Sequence, residues 1–273
     1  RATVVGYGDY RVPTDSVAIY SYLVPLHNNF LRNTAGNENN LHTSFGVVKE
    51  RFQSKFNVSN VRNSSGFFAN AHGLEPRNVD EAEHDQSSRD ILHPFKKVNH
   101  FKVINRSTYW ADKWNLEVDL GFQRNDREEW SVYTQHGYMP AVFPEDQTFE
   151  EELERQFKKD IYSLNAKAFY NLSDKTEFST GLNAEQMNNT IDGRGFIIPA
   201  FQRFSLGGFA FANHSFSEES SVQAGIRYDF GHINTQHHFD WFSSPSDAGT
   251  LENAQRAEAI NRSFSNFTWS LGY

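Results

Sequence analysis

The chain contains no cysteine. It can therefore form neither a disulfide nor a metal site with thiolate ligands. Positive charge is also scarce: 26 Lys and Arg stand against 34 Asp and Glu, which gives a net charge of -8. Nucleic acids attract clustered cations, so this balance argues against nucleic acid as the main partner.

Long apolar runs are absent as well. A transmembrane helix needs roughly 20 consecutive apolar residues, and the sequence has no such run. Nothing near the start has the order of basic, apolar and small residues that marks a signal peptide. Because the first residue is Arg1 and not Met, we expect a processed or truncated chain. Disorder is disfavoured too, since 38% of the residues are hydrophobic.

Aromatic residues are abundant: 25 Phe, 11 Tyr and 5 Trp make up 15% of the chain. They are dispersed in a regular way, which the segment WNLEVDLGF at positions 114–122 illustrates. Its alternate residues are large and apolar: Trp114, Leu116, Val118, Leu120 and Phe122. The same alternation recurs at 52–59, 99–110, 162–170, 177–184, 222–230 and 267–273. A period of two, repeated this often, predicts an all-β fold of about nine or ten strands.

The connections between these strands alternate in length. Short ones rich in Asp, Ser and Lys are predicted at 48–52, 110–114, 172–176 and 216–221, and they are typical of hairpins. Longer ones are predicted at 62–98, 125–160, 188–200 and 231–263. Strict alternation places all the long connections on one side of the sheet. Long loops usually carry function.

Two segments predict further local structure. FEEELERQFKKD, at 149–160, has Phe149, Leu153 and Phe157 four residues apart, which is typical of one helix face. Its acidic residues come first and its lysines last, as the helix dipole favours, so we predict a short helix there. DSVAIYSYLVPL, near the start, is either a strand or part of a long loop.

Strands with one apolar and one polar face suit a membrane. A tilted strand of ~9–11 residues spans a bilayer, with its apolar face toward lipid and its polar face toward the lumen of a barrel. The alternative is a soluble antiparallel sheet with one buried face. The aromatic content and the one-sided long loops favour an up-and-down transmembrane β-barrel, with short periplasmic turns and long external loops. The apolar residues of 114–122 are then predicted to face lipid. The predicted lumen-facing residues are Glu117, Asp119, Gln123, Asn165, Glu177 and Arg227.

Four segments resemble a known family. They are SGFFANAHGLEPRNVD at 65–80, VNHFKVINRS at 98–107, HGYMPAVFP at 136–144 and GRGFIIPAF at 193–201. With the rhythm of turns, they resemble part of the barrel of a TonB-dependent outer-membrane receptor of the kind found in Bacteroidetes. The resemblance implies a barrel of about 22 strands around a plug domain, in the outer membrane of a Gram-negative bacterium.

The same resemblance implies particular partners. These are outer-membrane lipid and lipopolysaccharide, the inner-membrane TonB complex that supplies energy, and a scarce nutrient as ligand. The ligands of the family are ferric siderophores, haem, cobalamin and glycans, and we expect a ferric siderophore or a similar iron complex. The sequence shows no plug domain and no TonB box, so we interpret residues 1–273 as an internal fragment of the barrel domain. The alternatives are a passive porin or structural barrel, and a soluble β-sheet protein that binds carbohydrate.

The predicted external loops contain the candidate ligand-binding residues. These are His72, Arg77, His136, Tyr138, Arg194 and Phe196. Imidazole beside aromatic rings could contact haem or a ferric chelate, and arginine forks bind anionic chelates. The alternative for the arginines is pairing with neighbouring acids, for example Arg127 with Glu128.

Other chemistry is not expected. His84, Asp85 and His93, and likewise His237, His238 and Asp240, could hold a metal, but neither set has the spacing of a known site. There is no phosphate loop and no Gly-x-Ser-x-Gly elbow. We therefore predict no metal, no cofactor and no enzymatic activity.

Overall fold

The computed structural model describes residues 1–19, 22–68 and 87–273. The strands of the first part are β1 (Ala2–Tyr7), β2 (Tyr10–Arg11), β3 (Ser16–Ile19), β4 (Tyr22–Pro25), β5 (Phe30–Leu31), β6 (Gly36–Lys49) and β7 (Phe52–Gly66). Those of the remainder are β8 (Phe95–Trp110), β9 (Trp114–Trp130), β10 (Leu153–Ser173), β11 (Thr176–Asp192), β12 (Phe201–Ser217), β13 (Ser220–Thr235), β14 (His238–Pro245), β15 (Leu251–Ala257) and β16 (Asn261–Gly272). One 3-10 helix occupies His27–Asn29.

Ten of the strands form one antiparallel sheet, in the order β1-β6-β7-β8-β9-β10-β11-β12-β13-β16. The predicted all-β, up-and-down fold and its strand number are confirmed. β1 and β16 are the two edges, so over the described residues the sheet is open and not closed into a barrel. From β6 to β13 the order of the strands in the sheet follows their order in the sequence, so each strand pairs with the strands before and after it.

The strands are long, and their connections differ at the two ends of the sheet. β10 has 21 residues and β9 has 17, whereas the usual strand has about 5–6. Tight turns join β6 to β7, β8 to β9, β10 to β11 and β12 to β13 at one end. β7, β9, β11 and β13 all end at the other end of the sheet, where the chain continues into the connections 67–94, 131–152, 193–200 and 236–260. The predicted segregation of short and long connections is confirmed, and we call the second end the loop end.

The register gives the sheet one apolar face over most of its length. Residues directly opposite each other lie on the same face of an antiparallel pair. One row of paired residues consists of Asn105, Leu120, Leu164, Ala184, Leu206 and Phe230. Nearer the turns, another row consists of Trp114, Tyr170, Phe178, Ala212, Ala224 and Leu271. From β9 to β13 the alternating apolar residues of neighbouring strands therefore merge into one apolar surface. On the same face, Asn105 and Ser107 of β8 hydrogen-bond to Ser54 of β7.

This surface ends abruptly toward the loop end. Phe122 pairs with Tyr162, but the next row on the same face pairs Arg124 with Asp160. Two hydrogen bonds of 2.7 Å join the Arg124 guanidinium to the Asp160 carboxylate. We call the surface between the Trp114 row and the Phe122 row the apolar band.

The opposite face carries the predicted polar set. Asp119 pairs with Asn165, and Glu117 pairs with Lys167. Arg106 Nε donates a 3.0 Å hydrogen bond to Asp119, and Arg227 Nη2 donates one of 3.0 Å to Asn183. The register therefore places the six predicted lumen-facing residues on one face and the five predicted lipid-facing residues on the other. Which environment each face meets stays a prediction.

The predicted helix at 149–160 is wrong. β10 begins at Leu153, and its first residues pair with the last residues of β9, Arg155 opposite Glu129 and Phe157 opposite Arg127. A spacing of four residues is also a multiple of two, so it fits a strand as well as a helix. The register shifts between Leu153 and Arg155, which leaves Leu153 opposite Trp130 and Phe157 on the other face. Cross-strand ion pairs with β9, such as Arg155 with Glu129, then favour the strand.

The connections contain small sheets of their own. Within the segment DSVAIYSYLVPL, β3 pairs with β4, so its described part is strand. β14 pairs with β15 within the connection from β13 to β16. The buried apolar side chains Val24, Leu26, Ala35 and Leu153 lie in or beside these connections, not in the apolar band. No helix among the described residues is long and apolar enough to cross a membrane.

Candidate functional site

A pocket of about 750 Å³ lies at the loop end, where β11 separates from β12. Pairing between these two strands stops at Asn189 and Phe201, and the chain then turns through residues 193–200. The lining also takes residues from the connection 131–152 and from β14. Because the sheet ends here, residues of both faces reach the pocket.

Side-chain amides dominate the polar lining. They are Gln147, Asn188, Asn189, Gln202, Asn234 and Gln236. Three of them form one row of the sheet, because Asn188 pairs with Gln202 and Gln202 with Asn234. Directly opposed side chains have Cβ atoms ~4.5–5.5 Å apart, so the row presents donors and acceptors at a regular spacing.

Asn189 differs from the other amides because it is buried. Its exposed fraction is only 5%, and its side-chain Nδ2 has no hydrogen-bond partner among the described residues. A buried polar group without a partner loses its hydration and gains nothing in return. A ligand atom that accepts a hydrogen bond from this donor would recover the lost interaction.

Aromatic rings form the second part of the lining and support it from behind. Phe149, Phe201, Phe239 and Trp241 line the pocket. Trp241 packs against Phe143 at 5.7 Å and against Phe149 at 6.0 Å between ring centroids, and Tyr133 packs against Phe143 at 5.4 Å. Tilted and edge-on contacts of this kind stabilise a cluster beyond the area that it buries. The cluster joins β14 to the connection 131–152.

Arg194 ties the same connections together. Its Nη2 donates hydrogen bonds to the Ser131 and Val132 carbonyl oxygens at 3.0 and 3.2 Å, and to Ser131 Oγ. The Arg194 carbonyl oxygen accepts a 3.0 Å hydrogen bond from Trp241 Nε1. Burial lowers the pKa of Arg194, and the nearby Glu154 carboxylate opposes that shift. With its side chain only 8% exposed, Arg194 braces three connections and is not among the residues that line the pocket.

His238 lines the pocket in a neutral state at neutral pH. Burial lowers its pKa from 6.5, Asp240 opposes the shift, and Arg256 adds to it. The ring of Phe196 stacks on the His238 imidazole, with centroids 4.3 Å apart and planes 14° apart. Arg256 Nε lies 3.4 Å from the Asp240 carboxylate. His238 therefore acts in the pocket as a flat, uncharged ring with hydrogen-bonding nitrogens.

The charge of the lining is low and negative. None of the described residues that line the pocket is Lys or Arg, and Asp192 is their one carboxylate. Recognition of an anion by arginine forks therefore has no donor there. Among the described residues, no group of three or more His, Cys, Asp or Glu could hold a metal ion.

The predicted ligand-binding residues have different surroundings. His72 and Arg77 lie outside the described residues, as does His84. His136 and Tyr138 are exposed on the connection 131–152, Tyr138 to 65%, and do not line the pocket. Phe196 is not a lining residue but stacks on His238, which is one. Arg194 supports the connections around the pocket. Ligand contact by these residues stays a prediction.

The arginines near the loop end are largely paired, which agrees with the alternative considered for them. Arg127 pairs with Glu129 and not with Glu128, because residues two apart share a strand face. Glu129 is buried and also binds Arg155 at 2.8 Å. His93, one of the possible metal ligands, lies 3.4 Å from Glu152.

Sequence reasoning missed most of the pocket. Its amides come from four separate chain segments, and nothing in their spacing connects them. One signal was present: His237 and His238 stand out in the sequence, and they do line the pocket, although no metal-binding group of three or more His, Cys, Asp or Glu occurs among the described residues.

Comparisons with known proteins give a distant likeness. No known protein-family profile matches the chain, and no curated protein matches it. Among solved structures, the ferric yersiniabactin uptake receptor FyuA from Yersinia pestis is similar, with 14% sequence identity and a TM-score of 0.49. The match covers 100% of this chain and 38% of that receptor, so the chain spans well under half of its length. A likeness this distant assigns neither a family nor a ligand.

Proposed function

We propose that the chain forms part of the wall and external loops of an outer-membrane receptor that takes up a scarce nutrient with energy from the TonB complex. The observation that carries the proposal is the apolar band on one face of the sheet, bounded by aromatic rows. Tyr109 and Trp114 lie 5.5 Å apart at the turn end of the band. Phe122 and Tyr162 lie 5.0 Å apart at its loop end.

The height of the band supports a membrane position. Trp114 and Phe122 are eight residues apart, which is about 27 Å along a strand. A tilt of ~35–45° reduces this to roughly 20 Å, close to the apolar belt of ~25 Å that outer-membrane barrels present to lipid. A soluble protein would have to cover so wide an apolar surface.

The loop end supports a role in binding. Long connections, an aromatic cluster and a pocket lie together beyond the band, where an outer-membrane protein meets its ligand from outside. The resemblance noted in the sequence favours a ferric siderophore or similar iron complex as the cargo. The proposed activity is binding and transport, without catalysis.

Uptake measurements test this proposal. The host strain and a strain lacking the gene for this chain are given radioactive iron as ferrichrome, as ferric citrate and as a ferric tricatecholate. We expect at least one to enter in a gene-dependent way, and an uncoupler that collapses the proton-motive force to abolish that entry. Gene-dependent entry that survives the uncoupler would indicate the passive porin instead.

A further inference from the structure

The pocket where β11 separates from β12 has a composition that specifies the chemistry of its ligand. We infer that it binds an electrically neutral, oxygen-rich ligand through its amides and rings. This inference rests on the proposed function, and it narrows the cargo to neutral compounds.

The amides supply the first argument. Each carries both a donor and an acceptor, so a set of them satisfies hydroxyl and carbonyl groups without adding charge. The row Asn188, Gln202 and Asn234 repeats this across three neighbouring strands. A ligand with several oxygen atoms at similar spacing meets one amide per strand.

The charge distribution supplies the second argument. Asp192 is the one carboxylate of the described lining, no Lys or Arg accompanies it there, and burial keeps His238 uncharged at neutral pH. A strongly anionic ligand would face a carboxylate with no Lys or Arg in the described lining to balance it. The nearby Arg194 donates its hydrogen bonds to Ser131 and Val132.

Asn189 supplies the third argument. Its buried Nδ2 lacks a partner, and an oxygen of the ligand would provide one. Phe201, which pairs with Asn189, and Trp241 in the same lining offer flat apolar surfaces to the carbon skeleton between those oxygens. Two sources share this chemistry: a neutral ferric trihydroxamate and a neutral oligosaccharide.

Binding to the full chain in detergent micelles tests the inference with four probes. Ferrichrome, a neutral ferric trihydroxamate, and maltohexaose represent the two neutral sources, whereas ferric citrate and a ferric tricatecholate are anionic. We expect one of the neutral probes to bind more tightly than both anionic ones. Which neutral probe binds identifies the source.

Asn189→Leu is the informative variant, because leucine keeps the size of the side chain and removes the unpaired donor. We expect it to weaken binding of the neutral probe about tenfold while leaving the folded fraction unchanged. Asn213→Leu is the matched control. Asn213 also has an unpartnered side-chain atom but lies near the short turn between β12 and β13, so its replacement should leave binding unchanged.

Tighter binding of an anionic probe, failure of both neutral probes to bind, or equal binding by wild type and Asn189→Leu would overturn the inference. The proposed function fails separately. Energy-dependent uptake of an anionic chelate alone would support the proposed transport function and refute the inference of a neutral ligand. Binding of a neutral probe without any energy-dependent uptake would support the inference about the ligand and refute the proposed transport function.

Discussion

At the scale of single residues, the polar face contains aromatic rings that simple alternation does not predict. Phe209 and Phe211 share this face with Arg227 and Asp229. Both rings lie over strand glycines: Phe209 covers Gly181, and Phe211 lies 3.1 Å from where a Cβ on Gly225 would be. Glycine leaves a gap in a strand, and an aromatic ring from the neighbouring strand can fill it.

Gly181→Ala should therefore destabilise the sheet. The new methyl group would occupy the space of the Phe209 ring, and overpacking of this kind costs about 1–3 kcal/mol. Denaturant unfolding in lipid vesicles measures the loss. Gly231→Ala is the control, because nothing lies within 4 Å of a Cβ there. Equal stability of the two variants would show that the ring moves aside freely.

Val118 and Asp119 are adjacent residues on opposite faces. Val118 lies midway across the apolar band, so Val118→Arg should cost about 2–4 kcal/mol, as expected for arginine in the middle of a bilayer. Asp119→Asn should change folding little, since its ion pair with Arg106 at 3.0 Å is largely exposed. Unfolding in vesicles compares the two variants, and the reverse order of effects would refute the assignment of faces.

At the scale of whole elements, the sequence predicted strands correctly where one face is apolar and the other polar. It did not predict them where both faces are polar. From Trp114 to Phe122 the faces alternate clearly, and the prediction was right. From Gln123 to Glu129 β9 is polar on both faces, so the period disappears although the strand continues to Trp130. The true connection is therefore 131–152, shorter than the predicted 125–160.

The same loss of pattern explains the incorrect helix. Residues 153–160 carry charges on both strand faces, and their partners on β9 are some 30 residues away in the chain. Local spacing cannot reveal an ion pair such as that between Arg155 and Glu129. The pocket escaped prediction for the same reason, since its lining is brought together by the register of β11, β12 and β13 and by the packing of β14 and the connection 131–152 above them.

Arg194 joins elements that the aromatic cluster and the stack of Phe196 on His238 also hold together. Arg194→Gln should remove its hydrogen bonds to Ser131 and Val132, leave Glu154 without that guanidinium, and cost about 1–3 kcal/mol of local stability. Chymotrypsin should then cleave the connection 131–152 after Phe149 several times faster.

The control for that experiment is Arg51→Gln. Arg51 forms an exposed ion pair with Asp112 at 3.0 Å between two short turns, at the opposite end of the sheet from the long connections, so cleavage should match the wild type. Faster cleavage in both variants would mean that the sheet as a whole had loosened. An unchanged cleavage rate in Arg194→Gln would show that Arg194 does not stabilise the connection 131–152.

At the scale of the whole molecule, ten antiparallel strands separate three regions along one direction. Tight turns lie at one end, the apolar band in the middle, and the long connections with the pocket at the other end. The alternation of short and long connections predicted this order, because each hairpin reverses the chain. The environment of each region is the central claim that remains to be measured.

Single-cysteine labelling in intact cells measures it most directly, since the chain has no cysteine of its own. Three variants report the three regions: Val142→Cys, 80% exposed on a long connection; Asp174→Cys in the turn after β10; and Leu120→Cys in the apolar band. A membrane-impermeant maleimide should label Val142→Cys in intact cells, Asp174→Cys only after the outer membrane is permeabilised, and Leu120→Cys only after denaturation. Labelling of Leu120→Cys in the native protein, or of both ends in intact cells, would contradict the membrane-spanning account.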